Sequence, residues 1–372
     1  MSSVSLAYLE AAKILTYTAL SFFLALWWGP SLIEILYDLK FWKKHSRSIS
    51  TSGENLVVTA KFYEENEKKR LVPRGGGILI WGTTLAIAAF FWLVLKIHGT
   101  PLTQFLNFVS RQETFIPLGT LFFGSMLGLI DDSLATMPEE GNYKGKGGGL
   151  HLNQRLLMVA GFSFLISLWF YFRLQINMIS VFGFKLDLLN LPGLAGMNLA
   201  WLIIPITLIV LVFTWSTGII DGFDGLAGGV FVPVYLCFAG LAFARGYFDV
   251  TALLMVLAGS TMAFLWYNIP PAKFFMGDTG TVGGLLIVGV VAILINYIYI
   301  LPIAGFILFL TSFSAVIQVF SKKVFKRKVF LAAPLHHHLE AIGWERNQVT
   351  MRYWLISIMT SALGLAIGLI FR

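Results

Sequence analysis

The chain has 372 residues, of which 57% are hydrophobic and only 12% are charged, and its formal net charge is +8. A soluble globular domain is about half apolar and about a quarter charged, so this composition excludes an ordinary soluble enzyme. The mean hydropathy of +0.78 and apolar runs of about 20 residues indicate an integral membrane protein. Cys237 is the single cysteine, which excludes a disulfide framework and a cysteine metal site within the chain.

The apolar runs, taken in chain order, predict ten membrane-spanning helices. Helices and closed barrels alone satisfy the backbone inside a bilayer, and the runs lack the alternation of a barrel. Between the fourth and fifth spans, residues 176–192 alternate in polarity around Gly183, which predicts a short hairpin. The sequence therefore predicts an all-α polytopic protein forming a single membrane domain, 1–372, with spans near 14–37, 76–97, 114–130, 156–173, 200–217, 225–243, 250–267, 281–297, 300–320 and 351–371.

Lysine and arginine are unevenly distributed between the two sets of loops. Most of the 27 basic residues lie in loops that follow odd-numbered spans. Because positive loops stay in the cytoplasm, both termini are predicted to be extracytoplasmic. The cytoplasmic loops also hold the histidine triplet, His336 to His338, and five aspartates at the ends of apolar runs. The topology thus predicts one site on the cytoplasmic side.

The five aspartates indicate the chemistry of that site. Asp131 and Asp132 close one apolar run, Asp221 and Asp224 interrupt another, and Asp278 precedes a third. Carboxylates at membrane depth are costly and usually mark a functional site. Magnesium prefers oxygen ligands and bridges carboxylates to substrate phosphates. Glycines beside these acids either let the backbone approach an anion or cap and pack helices. The pattern favours metal-assisted phosphoryl transfer.

Several segments together resemble a known family. They are GLIDD (128–132), DGFDGLAGG (221–229), WYNIPPAKFFMGDTG (266–280), APLHHHLE (333–340) with its upstream basic run, and RYW (352–354). These segments resemble the phospho-N-acetylmuramoyl-pentapeptide transferases, a branch of the polyprenyl-phosphate N-acetylhexosamine-1-phosphate transferases. The resemblance implies a homodimer in the bacterial cytoplasmic (inner) membrane. It also implies magnesium-dependent transfer of phospho-MurNAc-pentapeptide from UDP-MurNAc-pentapeptide to undecaprenyl phosphate, forming lipid I and UMP for peptidoglycan.

The resemblance also assigns roles to residues. Asp131 and Asp132 match a catalytic pair, of which the first activates or orients the lipid phosphate, and Asp278 matches a catalytic magnesium ligand. Positions that match the nucleotide and sugar site, and the loop that closes over it, are Asp221, Gly222, Phe223, Asp224, Asn268, Phe275, Gln318, His336, His337 and His338.

The chain departs from the family pattern at three places. Trp215 and Gly218 stand where the family has two asparagines, and Arg74 stands where a small hydroxyl residue is expected. Arg74 is predicted to contact either a phosphate or lipid headgroups. The loop after Asp132 is longer than is typical, so that Arg155 and Lys146 are both candidates for the position of the family's catalytic lysine. We favour Arg155 as the catalytic residue, although an arginine cannot act as a base.

Three other functions compete with this hypothesis. A sibling transferase that uses UDP-GlcNAc would share the aspartates, but the histidine stretch is typical of the muramoyl branch. A cation-coupled transporter also uses intramembrane acids, yet the predicted acids gather at one membrane margin rather than at the midplane. An inactive homologue is suggested by the two replaced asparagines.

Overall fold

The computed structural model describes residues 3–42, 71–111, 113–136, 149–176, 178–189 and 199–371. The helices are α1 Ser3–Asp38, α2 Gly77–His98, α3 Pro101–Leu106, α4 Phe115–Thr136, α5 Leu152–Trp169, α6 Ile203–Ser216, α7 Leu226–Ala244, α8 Phe248–Asn268, α9 Asp278–Leu294, α10 Leu301–Ala304, α11 Phe306–Val324, α12 Leu335–Ala341 and α13 Arg346–Ile370. The predicted all-α class is confirmed.

The spanning helices follow from length and composition. Nine helical segments within the described ranges are long and apolar enough to cross a membrane. The predicted span at 281–297 corresponds to α9, which has 17 residues and is shorter than the roughly 20 that a full crossing needs. From Thr279 to Ile293 every residue of α9 is buried. The chain is therefore a polytopic bundle with α9 inside it.

Two boundaries of the predicted helices were wrong. The first helix begins at Ser3 rather than near residue 14, because the charged residues there are buried with partners. Lys13 pairs with Glu10 at 2.6 Å and donates to the Phe105 carbonyl at 3.0 Å. The predicted span 300–320 is divided, since α10 and α11 are separated at Gly305 and α11 continues to Val324.

The predicted hairpin is confirmed. Strands β1, Met178–Val181, and β2, Phe184–Asp187, pair antiparallel, and Gly183 takes the left-handed conformation of the turn, with φ +82°. The Asn296 side chain, just beyond α9, accepts a hydrogen bond from Ser180 N–H at 2.7 Å. The hairpin is thereby fixed to the end of α9 that lies away from Asp278.

Backbone-to-backbone contact between α4 and α9 positions the site. A Cβ on Gly128 would overlap the backbone of Asp278 and Thr279, and one on Gly124 would lie 2.9 Å from the Gly283 Cα. Small residues permit this close approach of helices in membranes. The helices therefore meet without intervening side chains where α4 carries its two aspartates and α9 begins.

Candidate active site

Three carboxylates converge where α4 meets the start of α9. Asp131, Asp132 and Asp278 offer oxygen atoms that all lie within 4.8 Å of one another. Asp131 and Asp132 are 4% and 0% exposed, whereas the Asp278 side chain is 27% exposed. We call these three residues the carboxylate cluster. The sequence placed its members in one site, and the structure brings them together.

Arg155, on α5, bridges two members of the carboxylate cluster. Its guanidinium lies 2.6 Å from Asp131 Oδ2 and 2.8 Å from Asp278 Oδ2, and Nε donates to the Leu150 carbonyl at 3.2 Å. Asp131 Oδ1 also accepts a hydrogen bond from Leu150 N–H at 2.7 Å. The segment before α5 therefore fixes both Asp131 and the arginine. Lys146, the other candidate, lies outside the described residues.

Asp132 has a different environment from its neighbour. Its Oδ2 accepts a hydrogen bond from Thr279 N–H at 3.0 Å, in the first turn of α9, where a negative charge is favoured by the unpaired amides. Its Oδ1 lies 3.4 Å from Arg74 Nη1. Asp132 therefore ties α4 to α9 and faces a second guanidinium.

Asp221, Asp224 and Asn268 hold the loop that leads into α9. Asp221 Oδ2 accepts from Gly277 N–H at 2.8 Å and Asp224 Oδ2 accepts from Ala272 N–H at 3.0 Å. The Asn268 amide accepts from Gly225 N–H at 3.0 Å and donates to the Phe274 carbonyl at 2.8 Å. These polar groups join segments 221–225 and 268–277, so that the two predicted substrate-binding segments are adjacent.

The histidine helix α12 covers Phe223. The rings of His336 and His337 meet the Phe223 ring edge-on at 5.0 and 5.1 Å, and the Arg346 guanidinium lies 5.2 Å from the same ring. Gly222 lies directly beneath, because a Cβ there would be 3.1 Å from His336 Nε2. Phe223 is 2% exposed because the histidine rings pack on it. The histidines and segment 221–224 therefore form one surface.

Burial and ion pairing set the charges on α12. Burial lowers the pKa of His336 well below its usual range, with a further contribution from neighbouring His337, which favours the neutral imidazole. Burial alone would raise the pKa of Glu340, but hydrogen bonds from His337 and Arg346 outweigh it and leave that pKa lowered. The Arg346 contact measures 2.6 Å. Arg346 and Glu340 were not predicted as part of this site. Arg346 belongs to none of the recognised segments, and Glu340 closes the APLHHHLE segment but was assigned no role there.

Gln318, predicted to bind substrate, lies on α11 and makes hydrogen bonds with the connection that follows this helix. Its amide donates to the Phe330 carbonyl at 2.8 Å and accepts from Val329 and Phe330 N–H at 3.1 and 3.0 Å. Leu331 N–H donates to His338 Nδ1 at 3.3 Å. Gln318 thus folds the 325–334 connection onto α11 and places α12, and its role toward a substrate stays a prediction.

Phe275, predicted to stack on a base, lies in a short backbone pairing with the segment before α2. Its N–H donates to the Pro73 carbonyl at 2.8 Å and its carbonyl accepts from Gly76 N–H at 2.8 Å. The ring is partly exposed. This pairing positions Arg74, which lies between Pro73 and Gly76, beside the carboxylate cluster.

An apolar groove of about 200 Å³ leads to the cluster. Asp131, Arg155 and Asp278 lie at its polar end, and exposed apolar side chains of α5 and segment 217–220 line its rim. Trp215 and Gly218, the two positions where the resemblance leads one to expect asparagines, form part of its wall. The other lining residues are Leu127, Gly128, Leu150, Leu152, Met158, Val159, Ser216, Ile219, Thr281 and Val282. The groove suits the alkyl chain of a lipid whose charged head reaches the cluster.

The donor set of the carboxylate cluster fits a hard divalent cation. All three residues offer carboxylate oxygens, and such ligands suit magnesium or manganese better than softer metals. Two arginines flank the cluster, which suits anionic phosphate groups. Spanning helices that enclose such a site at the end of an apolar groove fit a polytopic membrane transferase that acts on phosphate groups.

Comparisons with known proteins identify the family. Residues 114–296 match the glycosyl transferase family 4 model. The phospho-N-acetylmuramoyl-pentapeptide-transferase of Bartonella quintana is 32% identical over 335 residues, 84% of each chain. The protein of the same name from Anoxybacillus flavithermus is 30% identical over 361 residues, 95% of this chain and 98% of its own. That of Shouchella clausii is 30% identical over 362 residues, 97% and 99% of the two chains.

The chain therefore belongs to the phospho-N-acetylmuramoyl-pentapeptide-transferase family. It is a multi-pass protein of the bacterial cytoplasmic membrane. The expected family is confirmed along nearly the whole chain rather than at the motifs alone.

Proposed function

We propose that the protein transfers phospho-MurNAc-pentapeptide from UDP-MurNAc-pentapeptide to undecaprenyl phosphate. The observation that carries this proposal is that Asp131 and Asp278, two members of the carboxylate cluster, also line the apolar groove, together with Arg155, which contacts both carboxylates. A lipid phosphate and a water-soluble diphosphate can meet there. The match to relatives named for this reaction covers 84% or more of each relative's length. This coverage supports UDP-MurNAc-pentapeptide as the donor here too.

In the proposed reaction an oxygen of the lipid phosphate attacks the phosphorus attached to the sugar. A new phosphorus–oxygen bond forms, the bond to the bridging oxygen of UMP breaks, and that oxygen keeps the electron pair. Arg155 orients the lipid phosphate, and Asp131 positions that arginine through the 2.6 Å contact. The proposal places the nucleotide and sugar on segments 221–224 and 336–338, which form one surface. Fixed cations stabilise charge that develops on the phosphate oxygens.

The proposed reaction depends on magnesium held by Asp278, with Asp131 and Asp132 as neighbouring carboxylates. The cation would neutralise charge on the diphosphate when bound. Asp132 also keeps α9 in place through its hydrogen bond from Thr279 N–H. The resemblance further implies a homodimer, which the mass of the solubilised protein would test.

The experiment that tests the function compares two donors. Purified protein in lipid nanodiscs receives undecaprenyl phosphate and magnesium with either UDP-MurNAc-pentapeptide or UDP-GlcNAc, and UMP release is followed. We expect UMP and lipid I from the muramoyl donor. Release from UDP-GlcNAc alone would overturn the muramoyl assignment in favour of the sibling transferase. Release from neither donor would favour the inactive homologue or the transporter.

A further inference from the structure

One wall of the apolar groove is formed where α6 ends, by Trp215 and Gly218. The family resemblance leads one to expect asparagines, which are polar, at both positions. Between them, the Ser216 hydroxyl donates to the Phe213 carbonyl at 2.6 Å. Ile219 lies on the same wall and is 42% exposed. This wall therefore offers a ligand mainly apolar surface.

The backbone does not require a glycine at position 218. The residue lies in the short 3-10 turn Thr217–Ile220, and its φ is not positive. An added Cβ would meet the Leu285 side chain at 3.4 Å and Thr281 at 3.5 Å, which are ordinary contact distances. Glycine in a helical turn is otherwise unfavourable relative to alanine. A side chain at position 218 would fold without a clash, but it would narrow the apolar groove.

Gly218 lies close to the charged end of the apolar groove. Thr281, which an added Cβ would contact, comes three residues after Asp278 on α9 and also lines the groove. Because one helical turn rises about 5.4 Å, the wall at position 218 lies about one turn from the start of α9. A lipid whose phosphate meets Arg155 therefore places the first carbon atoms of its chain against this wall.

Trp215 lies on the same side of the chain as Gly218. Residues three apart share a face in α and 3-10 turns, and both of these residues line the apolar groove. Because Gly218 has no side chain, it does not cover the indole. Trp215 is partly exposed, and its ring is a large, flat apolar surface. The groove thus has a wide section with an aromatic wall next to the carboxylate cluster.

We propose that Trp215 and Gly218 select the lipid acceptor by the isoprenyl unit that adjoins its phosphate. An isoprenyl unit carries a methyl branch on a planar double bond, so it is wider than a straight alkyl chain and has flat faces. The space left by Gly218 takes the branch, and the indole of Trp215 packs on a flat face. This inference rests on the proposed function, because it requires a lipid phosphate at the carboxylate cluster.

The test compares farnesyl phosphate with pentadecyl phosphate, which has the same number of carbon atoms but no branches or double bonds. UMP release in detergent with magnesium and UDP-MurNAc-pentapeptide gives kcat/KM for each acceptor. Wild type is expected to favour farnesyl phosphate at least about tenfold, because burial of a large apolar side chain contributes such a factor. Trp215→Ala should lose most of this preference, and Trp215→Phe, which keeps an aromatic ring, should retain part of it. Gly218→Val should raise KM for farnesyl phosphate.

Matched controls remove a tryptophan and fill a glycine outside the apolar groove. Trp201→Ala changes a residue that is 50% exposed at the other end of α6. Gly161→Val adds a side chain to α5 where an added Cβ meets nothing within 4 Å. Both variants should keep the acceptor preference and the KM values of wild type.

Calorimetric titration with each acceptor, without a nucleotide sugar, gives a readout independent of turnover and should show the same preference. Equal affinities of wild type for the two acceptors would overturn the inference. A raised KM for UDP-MurNAc-pentapeptide in Trp215→Ala would also overturn it, by showing that this wall serves the donor. An unchanged preference with a lowered melting temperature in Trp215→Ala would show that the indole only supports the fold.

Failure of the proposed function can be told apart from failure of this inference. If wild type releases UMP from UDP-GlcNAc alone, the muramoyl function fails, and the two acceptors are compared with that donor. If wild type releases no UMP from either donor with undecaprenyl phosphate, the proposed function fails. The calorimetric comparison of the two acceptors then supports or overturns the selection by Trp215 and Gly218.

Discussion

Asp278 is the residue on which the proposed chemistry depends most. Its partly exposed carboxylate begins α9 and is bound by Arg155. Asp278→Asn keeps the shape and removes the charge, so UMP release is expected to fall roughly a hundredfold or more, because a bound cation contributes several kcal/mol to such a reaction. The control is Asp187→Asn in β2, whose Oδ1 accepts a hydrogen bond from Leu189 N–H that an asparagine also accepts. Near-normal UMP release by Asp278→Asn would refute the metal role.

Gly128 shows how one residue sets the spacing of the site. In Gly128→Ala the added methyl would overlap the Asp278 backbone, so we expect a loss of about 1–3 kcal/mol in the free energy of unfolding and a fall in activity as the carboxylates separate. Gly119→Ala, on the same helix, meets nothing within 4 Å and should be neutral or slightly stabilising. Thermal unfolding in detergent compares the two. Equal melting temperatures for both variants would contradict the close-contact explanation.

Residue-level sequence reasoning found the charged groups but not their orientations. The sequence alone showed that five aspartates at membrane margins carry a free-energy cost and therefore mark a site. It did not show that the Gln318 side chain forms hydrogen bonds with residues 329–330. Such contacts depend on how a connection folds back on its helix, and no local pattern encodes that. The contact between Arg346 and Phe223 was equally unpredictable, because α13 approaches the site from a distant part of the chain.

At the scale of elements, α11 and α12 form a unit closed by Gln318. Gln318→Ala removes three hydrogen bonds and should release the connection that places His336 to His338. We expect KM for the nucleotide sugar to rise about tenfold, consistent with about 1–3 kcal/mol for the lost bonds, and trypsin to cut faster in the basic run 322–328. Gln348→Ala, an exposed glutamine of α13, is the matched control. Unchanged proteolysis in Gln318→Ala would show that the connection holds its fold without this amide.

The long helices were predictable because each must bury about 20 apolar residues in lipid. The short helices α3 and α12 were not predicted, since six or seven residues carry too few turns to show a period. The start of α1 was misjudged because Glu10 and Lys13 look like a boundary until their pairing is seen. A charged residue therefore marks the end of a membrane helix only when it is not buried against a partner.

The whole molecule has a predicted orientation that can be measured directly. Cys237 is 2% exposed, so single cysteines can be introduced into the otherwise native chain. Phe184→Cys in the hairpin should react with an impermeant maleimide in intact spheroplasts, because the hairpin is predicted to be extracytoplasmic. Arg327→Cys should react only after permeabilisation. The reverse labelling pattern would show the opposite topology, with the carboxylate cluster on the outer side of the membrane.

The close contact between α4 and α9 limits how this protein can change during evolution. At Gly240 the atom nearest to an added methyl would belong to the Leu365 side chain, 2.9 Å away, and a smaller residue at 365 restores the space. At Gly128 the obstacle is the main chain of Asp278 and Thr279, which no substitution can shrink. A genetic screen should therefore recover second-site suppressors of Gly240→Ala among its neighbours, and revertants alone at Gly128.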